Sequence, residues 1–175
     1  MYARALQSRP RLTKTVTACC IALAGDALAQ QVGGEPYCPR RAGAFVLWAA
    51  ATTPLLHSWY LLLQRSSPLR AALLDQFVWA PPSTAAFLFF TAAVCSPPGS
   101  HALQEGAARV VSHLPTTLAA NWGVWLPVQL LNFSLVAPAY QILFTNLVGL
   151  GWCACLSYMT HVPRAAQLVE APPDF

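Results

Sequence analysis

Long uncharged stretches alternate with short polar segments along this chain. Residues 42–64 contain no Asp, Glu, Lys or Arg, and none occurs between Arg109 and Arg164. A helix needs roughly 20 consecutive, predominantly apolar residues to cross the hydrocarbon core of a bilayer. The pattern therefore predicts a bundle of membrane-spanning helices.

The boundaries of the predicted elements follow from Pro, Gly and Ser residues between the apolar stretches. We predict membrane-spanning helices at residues 15–31, 42–63, 74–95 and 138–158. Residues 101–122 have apolar side chains at helical spacing beside charged ones, which is typical of a helix on the membrane surface. The predicted fold class is an all-α integral membrane protein, one domain over residues 1–175, with four transmembrane helices and a short interfacial amphipathic helix.

The first 31 residues allow two interpretations. A basic start, an apolar stretch from Val16 to Gly25 and the sequence Ala27-Leu28-Ala29 resemble a secretory signal peptide. Asp26, just before the supposed cleavage site, and the later apolar stretches favour a retained first helix. The basic, acid-free start also suits a mitochondrial targeting segment.

Composition supports a membrane protein, because charged residues make up 9% of the chain and hydrophobic residues 56%. Ordinary globular proteins have about 25% charged residues. The net charge of +4 is scattered, so direct nucleic-acid binding is not expected. If there are four spans, the excess of basic residues near the termini places both termini on the cytosol-like or matrix-like face.

No enzyme motif stands out. The six cysteines form no C-x-x-C pair, so we predict no metal site, no cofactor and no disulfide framework. No G-x-S-x-G elbow is present. Asp26 and Asp75 lack the glycine pattern of intramembrane aspartyl proteases. We expect a protein that is not an enzyme.

Polar side chains within the apolar stretches are the functional candidates, because such groups are costly in lipid and normally face a bundle interior or a water-filled cavity. Asp26 and Gln30 are four residues apart and can share one helix face. Asp26 and Asp75 can alternatively lie near helix ends, as caps or as ion-pair partners of Arg41 or Arg70. The candidates, lining a pore or joining helices, are Asp26, Gln30, His57, Asp75, Gln76, Gln129 and Asn132.

Prolines and small residues shape the predicted bundle. Pro54 frees the carbonyl of the residue four positions earlier, and Pro81 is expected to free that of Phe77. Such kinks can shape a solute pathway or let helices pack around one another. Gly149, Cys153 and Ser157 recur every four residues and predict a close helix contact, within the bundle or between copies of the chain.

A further set of residues occurs in a characteristic order and spacing, together with the polar candidates above: Gly25, Pro54, Trp59, Tyr60, Pro81, Asn121, Trp122, Trp125, Phe133, Trp152 and Ser157. With these motifs the chain resembles the Mpv17/PMP22 family over nearly its whole length. One departure is Gln141, which stands where the family usually has Arg, so any role of that Arg is not transferred. A second is Pro138, which lies one place later than the family's Val-Pro pair.

The resemblance implies a four-helix protein of an organelle membrane, with the mitochondrial inner membrane preferred and the peroxisomal membrane as the alternative. It implies a weakly selective channel or transporter for small metabolites that contributes to mitochondrial or peroxisomal homeostasis. The alternative is a non-conducting membrane scaffold or assembly protein. The expected partners are the lipid bilayer, small-molecule solutes and further copies of the chain in a homo-oligomer.

Overall fold

The computed structural model of this chain describes residues 1–34, 36–96 and 101–151, which form helices and short connections with no strand. The predicted all-α fold class is therefore confirmed for this part of the chain. The helices are α1 Tyr2–Ser8, α2 Pro10–Val32, α3 Pro39–Leu63, α4 Pro68–Cys95, α5 Ala102–Leu135 and α6 Gln141–Gly151.

Three of these helices, α2, α3 and α4, are long and apolar enough to cross a membrane. Each begins at a proline, whose fixed φ suits the first helical turn, where a backbone N–H would have no partner. The predicted spans at 15–31, 42–63 and 74–95 fall within them. The predicted span at 138–158 extends beyond the described residues, which end at Gly151.

Neighbouring helices run antiparallel. Lys14, near the start of α2, contacts His57, near the end of α3, and the two helices meet again where Gln30 binds Cys38. The starts of α2, α4 and α6 and the ends of α3 and α5 therefore lie at one side of the bundle, which we call the first face. The opposite side, with the ends of α2 and α4 and the starts of α3 and α5, is the second face.

Helix α5 corrects the predicted surface helix at 101–122. It contains 34 residues and ends at Leu135, which gives about 51 Å at 1.5 Å per residue, against about 30 Å for the hydrocarbon core. It runs back along α4, from Gly106 against Phe89 to Gln129 against Asp75. The polar residues that suggested a surface helix lie in the first part of α5, where Gly106 packs against Phe89 of α4.

This path of α5 also changes the predicted topology. Because α5 returns to the first face, α6 begins at Gln141 on the same face as the start of α2. The prediction that both termini share one face assumed four spans in total and no return along α4. The excess of basic residues near the termini therefore no longer supports a shared face for the two termini.

The distribution of side chains is the reverse of that in a water-soluble protein. Leu55 and Leu62 are each 60% exposed, whereas the buried hydrophobic residues are mostly alanines. Asp26, Asp75 and Asn132 are among the most buried side chains. In lipid, polar groups need partners inside the bundle and small residues allow helices to approach closely. The fold is that of a protein whose solvent is lipid.

A π-helical turn at Asp75–Trp79 interrupts α4. The Ala80 N–H donates to the Asp75 carbonyl five residues earlier, so the next N–H in this register would pair with the Gln76 carbonyl. Residue 81 is proline and has no N–H. The π-helical turn therefore also frees the Gln76 carbonyl, which the prediction for an unbroken α-helix did not include. The predicted freeing of the Phe77 carbonyl is not contradicted, because Pro81 and Pro82 both lack an N–H.

Gly106 allows α5 to approach α4 closely. A Cβ at this position would lie 2.8 Å from Phe89 Cδ2 and 3.1 Å from the Phe89 carbonyl oxygen. Gly106→Ala is expected to destabilise the protein by about 1–3 kcal/mol through overpacking, although Ala is intrinsically the better helix former. Gly123→Ala is the matched control, since nothing lies within 4 Å of its added Cβ. Thermal unfolding of both variants in detergent checks this, and equal melting temperatures would contradict the close contact.

Candidate functional site

Asp75 is the centre of a buried hydrogen-bond network that joins α3, α4 and α5. Its Oδ1 accepts from Trp59 Nε1 at 3.0 Å. Its Oδ2 accepts from Gln76 Nε2 at 3.0 Å and from Gln129 Nε2 at 2.9 Å. The residue is only 2% exposed. One carboxyl group thus receives a donor from each of three helices, which compensates for its removal from water.

Gln129 extends this network towards the first face. Its Nε2 also donates to the Tyr60 hydroxyl at 2.8 Å, and its Oε1 accepts from Asn132 Nδ2 at 2.9 Å. The Tyr60 ring packs edge-on against Phe133 at 5.1 Å between centroids. The amide of Gln129 therefore uses both of its ends, which fixes its orientation between α3 and α4.

Gln76 extends the network along α5 in the other direction. Asn121 Nδ2 donates to its side-chain oxygen at 3.1 Å, and Trp122 Nε1 donates to its backbone carbonyl at 2.9 Å. This carbonyl is the one freed by Pro81 and the π-helical turn. The Trp122 indole thus provides a hydrogen-bond donor for a carbonyl that the π-helical turn leaves without a backbone donor.

A second group of polar residues lies near the second face. Arg41 Nε is 2.9 Å from Asp26 Oδ1, and Gln30 Nε2 donates to Asp26 Oδ2 at 2.6 Å. Gln30 Oε1 in turn accepts from the backbone N–H of Cys38, just before α3. The shared helix face of Asp26 and Gln30 is confirmed, and so is the ion pair with Arg41. Asp26 is both buried and paired.

His57 forms a third group with a residue that the sequence did not single out. Lys14 Nζ lies 3.3 Å from His57 Nδ1, and the two residues are only 7% and 8% exposed. One feature of the sequence points to Lys14, which is the basic residue nearest the apolar part of α2. The seven candidates therefore fall into three hydrogen-bonded groups at different places in the bundle.

The signature residues also determine helix contacts. Gly25 faces Leu150 of α6, and a Cβ there would lie 3.8 Å from the Leu150 side chain. Gly149 faces the Trp125 ring, and a Cβ there would lie 3.7 Å from that ring. Pro54 accepts from the Ser58 hydroxyl at its carbonyl. Trp152, Cys153 and Ser157 lie outside the described residues.

A cavity of about 530 Å³ opens at the first face. Its polar lining includes Gln64, Ser66 and Gln141, and its apolar lining includes Leu63 and Phe133. Gln141 is 3% exposed and its Nε2 donates to the Val136 carbonyl, while its Oε1 is buried without a partner among the described residues. A buried acceptor of this kind is available to a solute or to water.

The described residues contain no group of three or more His, Cys, Asp or Glu side chains that could hold a metal ion. In the described part of the chain, the polar atoms gather around Asp75, Asp26 and Lys14.

Comparison with known proteins shows which sequences this chain resembles. Protein sym1 of Aspergillus oryzae is 33% identical over 173 residues, which cover 89% of this chain and 94% of that protein. Protein SYM1 of Gibberella zeae is 30% identical, covering 90% and 94%. The Mpv17 / PMP22 family model matches residues 100–157. The chain belongs to the Mpv17/PMP22 family.

A further relative in the Mpv17/PMP22 family is peroxisomal membrane protein 2 of Bos taurus, which is 30% identical over 89% of this chain and 86% of that protein. No solved structure matches the chain. The region matched by the family model includes α5, which provides Asn121, Trp122, Gln129 and Asn132 to the network. Several of the residues by which the chain resembles the Mpv17/PMP22 family belong to the hydrogen-bond network of Asp75, among them Trp59, Tyr60, Asn121 and Trp122.

Proposed function

We propose that this Mpv17/PMP22 protein is a weakly selective channel or transporter for small metabolites in an organelle membrane, and that the structure represents its closed state. The observation that carries the proposal is the cavity of about 530 Å³ at the first face, which ends at an apolar layer above the Asp75 network. An entrance, a constriction and a polar interior follow one another along the bundle. The proposal includes no catalytic step.

The entrance is large enough for a small metabolite and has mixed chemistry. Gln64, Ser66 and Gln141 offer hydrogen-bond donors and acceptors, and the lining contains no charged residue. A site without a fixed charge selects weakly, because size and hydrogen bonding are its means of discrimination. This lining supports weak selectivity.

The apolar layer is the constriction. Tyr60, Leu63, Ala71 and Ile142 form a buried cluster, and Phe133 packs against it. Leu63, Ala71 and Phe133 also line the cavity, so this layer separates the cavity from the Tyr60 hydroxyl and Gln129. A narrow apolar layer excludes water and therefore closes a pathway to polar solutes.

The organelle is part of the proposal. The resemblance favours the mitochondrial inner membrane, and the peroxisomal membrane is the alternative supported by the relative named peroxisomal membrane protein 2. A fluorescent protein fused to the C-terminus of the chain tests this. Overlap with a mitochondrial marker supports the first location, and overlap with a peroxisomal marker replaces it by the second.

Opening the apolar layer is expected to increase solute flux. Phe133→Ala removes the ring contact with Tyr60, and a barrier lowered by the roughly 0.5–1.5 kcal/mol of an aromatic pair would raise the rate by up to about tenfold. The measurement is swelling of proteoliposomes in isosmotic glucose, with a large polyethylene glycol as the excluded solute. Leu63→Ala opens the same layer and serves if Phe133→Ala does not fold.

Leu131→Ala is the matched control for that experiment. Leu131 lies on α5, is 51% exposed, and does not line the cavity. Its flux is expected to equal that of the wild type. Equal flux for folded Phe133→Ala, Leu63→Ala and Leu131→Ala would contradict a pathway through this layer.

A non-conducting scaffold is the second candidate, and a specific observation favours it. Asp75, Gln76, Gln129 and Asn132 are at most 4% exposed and bind one another, as expected of residues that only tie helices together. A scaffold would give no swelling in glucose for the wild type or for either cavity variant. Flux through folded wild-type protein would exclude it.

A further inference from the structure

Lys14 is a buried cation with few partners. It is 7% exposed, and its one hydrogen bond among the described residues is to His57 Nδ1 at 3.3 Å. An ammonium group has three N–H donors and no acceptor. The single ion pair within the described residues joins Asp26 to Arg41, near the other face. Within the described residues, two of the three Lys14 donors therefore have no partner.

His57 adds a further donor. Because Nδ1 accepts from the Lys14 ammonium, the ring proton of the neutral imidazole lies on Nε2, which is then a donor. Arg9 and Arg11 lie beside His57, since all three line a cavity of about 320 Å³ at the start of α2. Three basic side chains, Arg9, Arg11 and His57, therefore line one small space, and a fourth, Lys14, lies against His57 without lining the space itself.

The same cavity has apolar walls. Pro10 and Leu12 line it together with the basic residues, and Leu12 is 55% exposed. Lys14 is four residues into α2, or roughly 6 Å from Pro10 along the helix axis. A helix that crosses the bilayer has its first turns at the level of the lipid headgroups. The cavity therefore combines cations with an apolar surface at headgroup depth.

We propose that Arg9, Arg11 and His57, with the charge of Lys14 directly against His57, form a binding site for the phosphate group of an anionic phospholipid, whose glycerol and upper acyl chain contact Pro10 and Leu12. A lipid fits better than a soluble anion because the cavity opens along a membrane-spanning helix and is lined by apolar groups. Arg65 and Arg70, at the end of α3 and the start of α4, make this face basic as a whole. Basic pockets between helices on such a face are suited to anionic headgroups. This site does not rest on the proposed channel activity.

The test uses the full chain in detergent micelles and native mass spectrometry. The probes are phosphatidylglycerol and phosphatidylcholine with identical acyl chains. We expect the wild type to prefer phosphatidylglycerol by at least about fivefold, and we expect Lys14→Gln to lose most of that preference. Arg11→Gln tests the same site at an exposed position, so the result does not depend on the folding of Lys14→Gln.

Arg65→Gln is the matched control, since Arg65 is exposed on the same face but does not line the cavity. It is expected to keep the preference. The proposal is overturned if the wild type binds both lipids equally, if Arg65→Gln and Arg11→Gln lower the preference equally, or if Lys14→Gln and Arg11→Gln both retain it. Displacement of phosphatidylglycerol by millimolar inorganic phosphate would assign the site to a soluble anion instead and would also overturn it.

Discussion

Asp75→Asn is expected to lower the free energy of unfolding by about 2–4 kcal/mol, because one buried donor loses its acceptor and two charge-assisted hydrogen bonds weaken. The carboxyl group accepts at both oxygens, with Trp59 at Oδ1 and Gln76 and Gln129 at Oδ2. An amide can keep only one of these oxygens. Its NH₂ group must face either the Trp59 indole N–H or the two glutamine amides.

Unfolding of the purified protein by sodium dodecyl sulfate in mixed micelles measures this loss. Glu105→Gln is the comparison variant, since the exposed Glu105 binds only Ser96 among the described residues and lies near the second face. We expect it to change stability by less than about 1 kcal/mol. An Asp75→Asn protein as stable as the wild type would show that the carboxyl group does not hold the three helices together.

Arg41→Leu is expected to have the second large effect, a loss of about 3–5 kcal/mol. Arg41 is the ion-pair partner of Asp26, whose side chain is fully buried, whereas that of Arg41 is 33% exposed. Removing the cation leaves a carboxylate without its counter-charge, which costs more than the pair itself contributes. Arg40→Leu removes the same charge from an exposed neighbouring position and is expected to have little effect.

The double variant Asp26→Asn with Arg41→Leu separates this explanation from a simple loss of packing. If the unpaired charge causes the loss, neutralising Asp26 restores most of the stability. If packing of the Arg41 side chain causes it, the double variant is no more stable than Arg41→Leu. Thermal unfolding in detergent distinguishes the two outcomes.

Much of the fold follows from the sequence, because long apolar stretches between prolines can form only helices in lipid. The pairing of Asp26 with Gln30 also follows, since residues four apart share a helix face. For Asp26 the sequence allows two alternatives, a position facing the bundle interior or an ion pair near a helix end with a residue such as Arg41. The sequence could not choose between them, because both residues lie close to the ends of their helices.

The features that sequence reasoning missed depend on how helices register against one another. The polar start of α5 has the amphipathic pattern of a surface helix. That pattern does not show that the helix continues for 34 residues along α4. The π-helical turn frees the Gln76 carbonyl as well, and Trp122 binds it. Lys14 and His57 are far apart in sequence, so only the antiparallel packing of α2 and α3 brings them together.

The claim that Asp75 joins α3 to α4 through its hydrogen bond with Trp59 is tested most directly by a double-mutant cycle of Asp75→Asn and Trp59→Phe. The Phe variant removes the donor that Asp75→Asn would leave without an acceptor. We predict that the double variant loses less stability than the sum of the two single losses, with a coupling energy of about 1–2 kcal/mol in sodium dodecyl sulfate unfolding. Losses that add without coupling would contradict the network.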